Sequence, residues 1–257
     1  MCELFAICTK QKTPANDYLK RFFARGYEHP NGWGFATFGG GVVHIEKEPE
    51  NSVTSRYLRN RLRAPIAEDV LLAHIRYATV GSLEYENCHP FTRKDSTGRN
   101  YTLIHNGTIF NGLSLNRYIH VQEGGTDSER VLCHIVAKID EFIEREGRYP
   151  CPEERFEIVG LLVAELAEGN KLNLIFYDGE FLYVHINMPD SLYCKEVQGG
   201  FVFATVPLDN FAWKTLPLTS LLVYRNGELI YQGERSGKVF VDDPDERQFL
   251  FLDYAGL

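Results

Sequence analysis

The sequence predicts an α+β fold built on antiparallel sheets. Three observations carry that expectation. Strand-like apolar runs come first, two long helices follow, and strands then return, an order unlike a repeated βαβ unit. Turn signals, Gly39-Gly40-Gly41, Asp178-Gly179 and Asn226-Gly227, each lie between two such runs. No internal repeat or low-complexity linker divides the 257 residues, so residues 1–257 are expected to form one domain.

Each element has its own reason. Cys2 to Cys8 reads as a buried strand. Asp17 to Ala24 places Leu19, Phe22 and Phe23 at helical spacing, with Gly26 as the expected stop. Gly34 to Phe38 and Val42 to Ile45 make a hairpin across the three glycines. Ser55 to Leu62 is a short basic helix before Pro65. Val70 to Tyr77 and Tyr101 to His105 are strands with polar ends. Thr126 and Glu129 read as a capping box opening a helix to Arg145, with an apolar stripe through Val131, Leu132, Ile135, Ile139, Phe142 and Ile143. Pro152 to Glu168 is the second long helix, ended by Gly169. Leu172 to Tyr177 and Phe181 to Ile186 form one hairpin, and Leu221 to Tyr224 and Leu229 to Gln232 another, both with expected type I′ turns. Phe201 to Ala204, Val239 to Val241 and Phe249 to Tyr254 complete the expected strands.

Composition narrows the function. The chain carries 27 basic and 35 acidic residues, a net charge of −8, which argues against nucleic acid as the main partner. Hydrophobic residues at 44% and charged residues at 24% are ordinary globular usage. The N-terminus lacks the basic start and apolar stretch of a signal peptide, and no apolar run has the length of a membrane span. A cytoplasmic protein without membrane association is expected. The six cysteines show no metal-binding spacing and read as reduced thiols. Cys88-His89 and Cys133-His134 lack partners for zinc, and no nucleotide-binding glycine motif is present, so no metal or organic cofactor is expected. The arginines at 56, 59, 61 and 63 read as a solvated helix face.

Several residues carry candidate chemistry. Removal of Met1 would give Cys2 both a thiol and a free α-amine, and that amine titrates low enough to act as a base near neutral pH. The plainer reading of Cys2 is a small apolar strand residue. Arg76 ends a buried strand and offers a planar fork suited to a carboxylate, either a ligand's or an internal one. Asn106 and Gly107 side by side can direct two donors at one oxygen, although Asn-Gly is also a common turn pair. Asp127 opens the long helix, where it either supports the helix dipole or receives an ammonium group.

Taken in order, Cys2, Gly32-Trp33-Gly34, Arg76-x-Ala78-Thr79-x-Gly81, Asn87-Cys88-His89-Pro90-Phe91, His105-Asn106-Gly107 and Thr126-Asp127-Ser128-Glu129 resemble the class II glutamine amidotransferases, in particular the small stand-alone bacterial type 2 members. The likeness continues through Phe203-Ala204-Thr205-Val206-Pro207-Leu208 and Trp213, so it spans essentially the whole chain. It implies an N-terminal-nucleophile hydrolase with a four-layer αββα sandwich of two antiparallel sheets. It implies Cys2 as nucleophile with its α-amine as base after loss of Met1, and Asn106 and Gly107 as the oxyanion hole. Arg76 would hold the α-carboxylate of glutamine and Asp127 its α-ammonium. Thr79 and Gly81 would lie in a substrate-covering loop, with His89 after it, all three on the substrate-binding side. Family members often carry His where this chain has Val80. Synthetases of the class have a second, ammonia-consuming domain, and this sequence has no length left for one. The expected activity is hydrolysis of glutamine, with ammonia passed to a separate synthetase. The alternatives are hydrolysis of another γ-glutamyl amide, or binding of a metabolite or partner without turnover. A homo-oligomer remains open.

Overall fold

The computed structural model describes residues 2–78 and 81–242. The expected strand at Phe249 to Tyr254 lies outside the described residues, as does Thr79. In chain order the strands are β1 (Glu3–Pro14), β2 (Trp33–Gly39), β3 (Val42–Glu48), β4 (Ala67–Ile75), β5 (Phe91–Lys94), β6 (Asn100–Thr108), β7 (Lys171–Tyr177), β8 (Leu182–His185), β9 (Tyr193–Val197), β10 (Gly200–Ala204), β11 (Trp213–Thr215), β12 (Leu221–Arg225) and β13 (Glu228–Gln232). The helices are α1 (Asn16–Phe23), α2 (Arg56–Arg61), α3 (Asp127–Glu146) and α4 (Pro152–Leu166).

The strands form two sheets, ordered β11-β9-β10-β1-β4-β2-β3 and β13-β12-β8-β7-β6-β5. Every described pairing is antiparallel. Side-chain alternation along the strands builds three cores. Phe5 and Ile7 of β1 and Leu71, Ala73 and Ile75 of β4 pack outward against Leu19, Phe22 and Leu58 of α1 and α2. Leu4, Ala6 and Cys8 of β1 and Leu72 of β4 face the other way, onto Ile104 of β6 and Ile175 of β7. Leu103, Leu172, Leu174 and Phe176 of the second sheet pack on Val131, Leu132, Ile135 and Ile139 of α3 and on Val159, Leu162 and Val163 of α4. The layers are therefore helix, sheet, sheet, helix. No described helix is long and apolar enough to cross a membrane.

Several local expectations need correction. Gly26 does not stop α1, because the chain continues into a 3-10 turn at Ala24–Tyr27. A Cβ there would overlap the Ser52 hydroxyl, which donates to the Phe23 carbonyl. Asn226 and Gly227 both have positive φ, as a type I′ turn requires, but at the other hairpin only Gly179 does. Asp178 is held differently. Its carboxylate accepts the Glu180 and Phe181 N–H groups and receives the buried Arg155 guanidinium of α4 at 2.6 Å. Val239 to Val241 joins no strand ladder and is tied by the Phe240 N–H to the Asn187 carbonyl. Three short strands, β5, β9 and β11, have no clear apolar alternation and were not foreseen. The Arg56 to Arg63 cluster is a solvated face, where Arg61 pairs with Glu46.

Candidate active site

The alternation that builds the cores also selects what points into the gap between the sheets. Even-numbered residues of β1 face that gap, so Cys2, just before the strand, lies on the same side as Leu4. Glu3 points the other way and is gripped by Arg25 at 2.6 Å. In β4 the parity of Leu72 extends to His74 and Arg76. In β6 the parity of Ile104 extends to Asn106, and in β7 that of Ile175 extends to Asn173 and Lys171. His74 is paired in register with Leu4, and its Nε2 lies 3.2 Å from the His105 carbonyl on the opposite sheet. That contact sets Asn106 opposite the start of β1. Cys2, Arg76, Asn106 and Lys171 therefore converge at one end of the inter-sheet space.

The Cys2 sulfur lies 3.4 Å from both the N–H and the carbonyl of Tyr77. Burial pushes its thiol above the ordinary value, while the Tyr77 contact, Arg76 and Lys171 pull it back. Arg76 is buried, and its fork donates to the carbonyls of Ser82 at 2.8 Å and Gly81 at 3.0 Å. The sequence suggested an anionic partner; among the described residues two of the fork's donors meet loop carbonyls, which carry partial rather than full charges. Gly81, with φ of +81°, makes the bend that presents them. Asn87 locks the same loop: its amide donates to the Ser82 carbonyl and hydroxyl, and its Oδ1 accepts the Gly125 N–H at 2.7 Å. A chain of hydrogen bonds thus runs from Arg76 through the loop to the start of α3.

There Thr126 accepts the Glu129 N–H, as a helix cap should. The expected capping box is incomplete, because the Glu129 carboxylate turns to the Glu123 and Gly124 N–H groups at 2.6 and 2.9 Å. Asp127 accepts the Ile109 N–H at 2.7 Å and the Ser128 N–H at 2.8 Å. It lines a pocket of about 170 Å³ together with Ile109, Asn111, Leu115 and Arg130. A larger cavity, about 760 Å³, lies at the opposite end of the sheets among Phe38, Asp69, Arg99 and Tyr177, away from every candidate residue.

Asn106 and Gly107 are not a turn. Strand β6 runs on to Thr108, and both pair within the ladder, opposite Asn173 and Leu172. A Cβ on Gly107 would overlap the Lys171 carbonyl and the His105 ring, so glycine is required for the two strands to approach. The Asn106 Oδ1 receives the Lys171 Nζ at 3.4 Å, and its backbone carbonyl receives the Asn173 amide at 3.2 Å.

Behind this set are three buried histidines. His105 Nδ1 lies 2.9 Å from the Ser128 hydroxyl. His89 packs against His74 with ring centroids 4.0 Å apart and against Phe91 at 4.4 Å, both tilted, and neither of its ring nitrogens has a hydrogen-bond partner among the described residues. Burial lowers all three, His74 to about 3 and His89 well below its usual range. His89 is thus a neutral wall residue, and Gly34 leaves room for its carbonyl. Gly32, with φ of +137°, does the same for the Cys88 sulfur and accepts the Arg76 N–H. Sequence reasoning gave Tyr77 and Lys171 no part in the site, and it quoted Asn87 and Ser128 within motifs without seeing what they hold. Lys171 was out of reach because the strand was expected to begin at Leu172. Among the described residues Glu3, Glu28 and His29 bring metal-ligating atoms within 4.8 Å of one another, but Arg25 already holds Glu3.

Comparison with known proteins bears on the family and the fold. A family model described as glutamine amidotransferases class-II matches residues 1–198. An uncharacterized protein of Methanocaldococcus jannaschii is 32% identical over 265 residues, covering 91% of this chain and 72% of that one. The Escherichia coli protein YafJ, which is named for glutamine amidotransferase, is 30% identical over 192 residues, 72% of each chain. Among solved structures, a predicted glutamine amidotransferase from Pseudomonas aeruginosa superposes with a TM-score of 0.64 at 21% identity, over 90% of this chain and all of that one. The Bacillus subtilis glutamine phosphoribosylpyrophosphate amidotransferase gives 0.66 at 16% identity, over 91% of this chain and 49% of that one. At these identities the two structures speak for the fold alone.

Proposed function

The chain belongs to the class II glutamine amidotransferases, and on that premise we propose that it cleaves the side-chain amide of glutamine with Cys2 as the nucleophile. The observation that carries this reading is the convergence of a thiol, a carboxamide and a glycine backbone at one end of the inter-sheet gap, beside a buried arginine. Removal of Met1 exposes the Cys2 α-amine, which takes the thiol proton. The sulfur then attacks the amide carbon. Asn106 Nδ2 and the Gly107 N–H hold the resulting oxyanion; one such donor is typically worth about 10²- to 10³-fold in rate. As the tetrahedral intermediate collapses, the carbon–nitrogen bond breaks and the protonated α-amine gives its proton to departing ammonia. Water hydrolyses the γ-glutamyl thioester, releasing glutamate and restoring the thiol.

The head group of glutamine offers one carboxylate and one ammonium. Arg76 suits the first and Asp127 the second, and the 81–87 loop tied between them by Asn87 is placed to exclude water. Thr79 is assigned to the same loop by the family resemblance. His89 supports the wall rather than touching substrate. The ammonia is expected to serve a separate synthetase.

The test is intact mass before and after 6-diazo-5-oxo-norleucine, with glutamate release measured alongside. A mass lacking Met1, one adduct on Cys2 and release of glutamate support the reading. A retained Met1 with no adduct would sink it in favour of a binding protein. Turnover of other γ-glutamyl amides in preference to glutamine would change the substrate while keeping the chemistry.

A further inference from the structure

We propose that Lys171 is a positioning residue of this site: by holding the carboxamide oxygen of Asn106 it fixes which end of that side chain faces the reacting carbonyl, and it sets a positive charge opposite Cys2. The inference rests on the amide-cleaving reading above and names a residue which that reading leaves unused.

The argument begins with the two-ended nature of asparagine. One end of the amide donates and the other only accepts. An oxyanion is stabilised by the donating end; with the amide turned over, its oxygen would face the developing negative charge and oppose it. Something must therefore choose the orientation. An ammonium has three donors and no acceptor, so beside Asn106 it accepts only the oxygen end as a partner. Lys171 Nζ is 3.4 Å from Asn106 Oδ1, which leaves Nδ2 as the end turned away from the lysine.

Strand parity brings Lys171 there. It shares the gap-facing side of β7 with Asn173 and Ile175, and it lies in register with Thr108, two residues beyond Asn106. The lysine is only 5% exposed. An ammonium is costly to bury unless it meets polar groups, so its presence in the wall of the gap calls for a use. Its backbone is committed too, since the Lys171 carbonyl lies 3.3 Å from His105 Nε2 and is the group that Gly107 makes room for. Main chain and side chain of one residue thus fix both members of the proposed oxyanion hole. Among the described residues the charges that act on the Cys2 sulfur are Arg76, just past β4, and Lys171 at the start of β7.

A purely structural lysine would hold the strand and leave the chemistry alone, and a double-mutant cycle tells the two apart. The variants are Lys171→Met, which keeps the length, Lys171→Gln, which keeps a donor, and each combined with Asn106→Ala. Steady-state glutamine hydrolysis and thermal melting are measured on all of them. In the wild-type background K171M is expected to lower kcat by about tenfold or more while KM for glutamine stays within about twofold, because only the transition state is affected. K171Q is expected to recover part of that loss. In the N106A background K171M should cost less than about threefold in kcat, since its target is gone.

A second readout needs no substrate. The pH dependence of Cys2 alkylation by iodoacetamide, followed on the N-terminal peptide by mass, should move upward by about half a unit or more in K171M, and K171Q should not restore it. Equal kcat losses for K171M with and without Asn106 overturn the positioning role. A rise in KM at unchanged kcat does the same and makes Lys171 a substrate contact. An alkylation profile identical to wild type removes the charge role. If K171M fails to melt cooperatively, K171Q carries the same comparisons. If the wild type hydrolyses no glutamine, the amide-cleaving reading falls, and the alkylation profile still decides whether Lys171 acts on the thiol.

Discussion

Replacing His185 by glutamine should flatten the loss of stability that this protein suffers on acidification. His185 lies on β8, is 2% exposed, and makes one hydrogen bond through Nδ1 to the Ser220 carbonyl. Burial lowers it from the ordinary 6.5 to about 4. Its proton affinity is therefore weaker in the folded chain than in the unfolded one. Between those two values the unfolded state takes up a proton that the native state refuses, so the contribution of His185 to stability is intact above about pH 6.5 and is lost as pH falls towards 4. At pH 5 the unfolded histidine is almost wholly charged and the native one almost wholly neutral. The difference is about 1.5 pH units, worth about 2 kcal/mol. The figure depends only on the folded value being well below 5. Urea unfolding at pH 7 and pH 5 gives the loss for each protein, and subtracting one loss from the other cancels both the carboxylates and any pH-independent cost of the substitution. H185Q should lose about 2 kcal/mol less than wild type over this interval. Equal losses in the two proteins would refute the reasoning. His185 lines a pocket beneath α4 with Phe156 and Gly160 and contacts none of the site residues by hydrogen bond, so glutamine hydrolysis at pH 7 should be unchanged.

Other perturbations read the site directly. Asn106→Ala should lower kcat about 10²- to 10³-fold with KM little changed, as steady-state glutamate release will report. Asp127→Asn removes the charge and keeps only one of the two acceptors that meet the Ile109 and Ser128 N–H groups; it should raise KM for glutamine by about tenfold or more in the same assay, with melting followed alongside to separate lost charge from a loosened helix start. Gly107→Ala forces a methyl group into the Lys171 carbonyl and the His105 ring. It should cost about 1–3 kcal/mol in chemical denaturation and about 10²-fold in activity, because the β6 backbone must shift. Gly39→Ala, which meets nothing within 4 Å, is the control for both readouts.

How much of this was legible from the sequence depends on the range over which each signal acts. The inner elements announced themselves, because a strand buried on both faces or a helix with a long apolar stripe needs no partner to be recognised. Ser55 at the head of α2 accepts the Leu58 N–H, as its chemistry demands. The failures share a cause. Asp178 was read as the first residue of a type I′ turn, yet its carboxylate is shared between the local Glu180 and Phe181 N–H groups and a buried arginine 23 positions away. Glu129 was assigned to its own helix cap, yet two N–H groups of the preceding loop claim it. β5, β9 and β11 are short strands completed by their neighbours. For the candidate site, motif order gave Cys2, Arg76 and Asn106, which the sheets bring to one end of the gap, and it contained Asn87 and Ser128 without a role for either. Asn87, Ser128 and Lys171 act through hydrogen bonds between distant segments, and no local pattern marks such a bond.

The division of the site between the two sheets has a mechanical consequence. Cys2 and Arg76 flank strands of one sheet, Asn106 and Lys171 lie in the other, and His74 reaching the His105 carbonyl is a polar rung between them. A molecule seated there is a rivet through two plates. It would not merely quiet the loop above it; it would resist the sliding of one sheet over the other, the motion through which the interior must come apart. Slowed exchange should therefore spread along β1, β4, β6 and β7 when the site is filled, far beyond the atoms that the molecule touches.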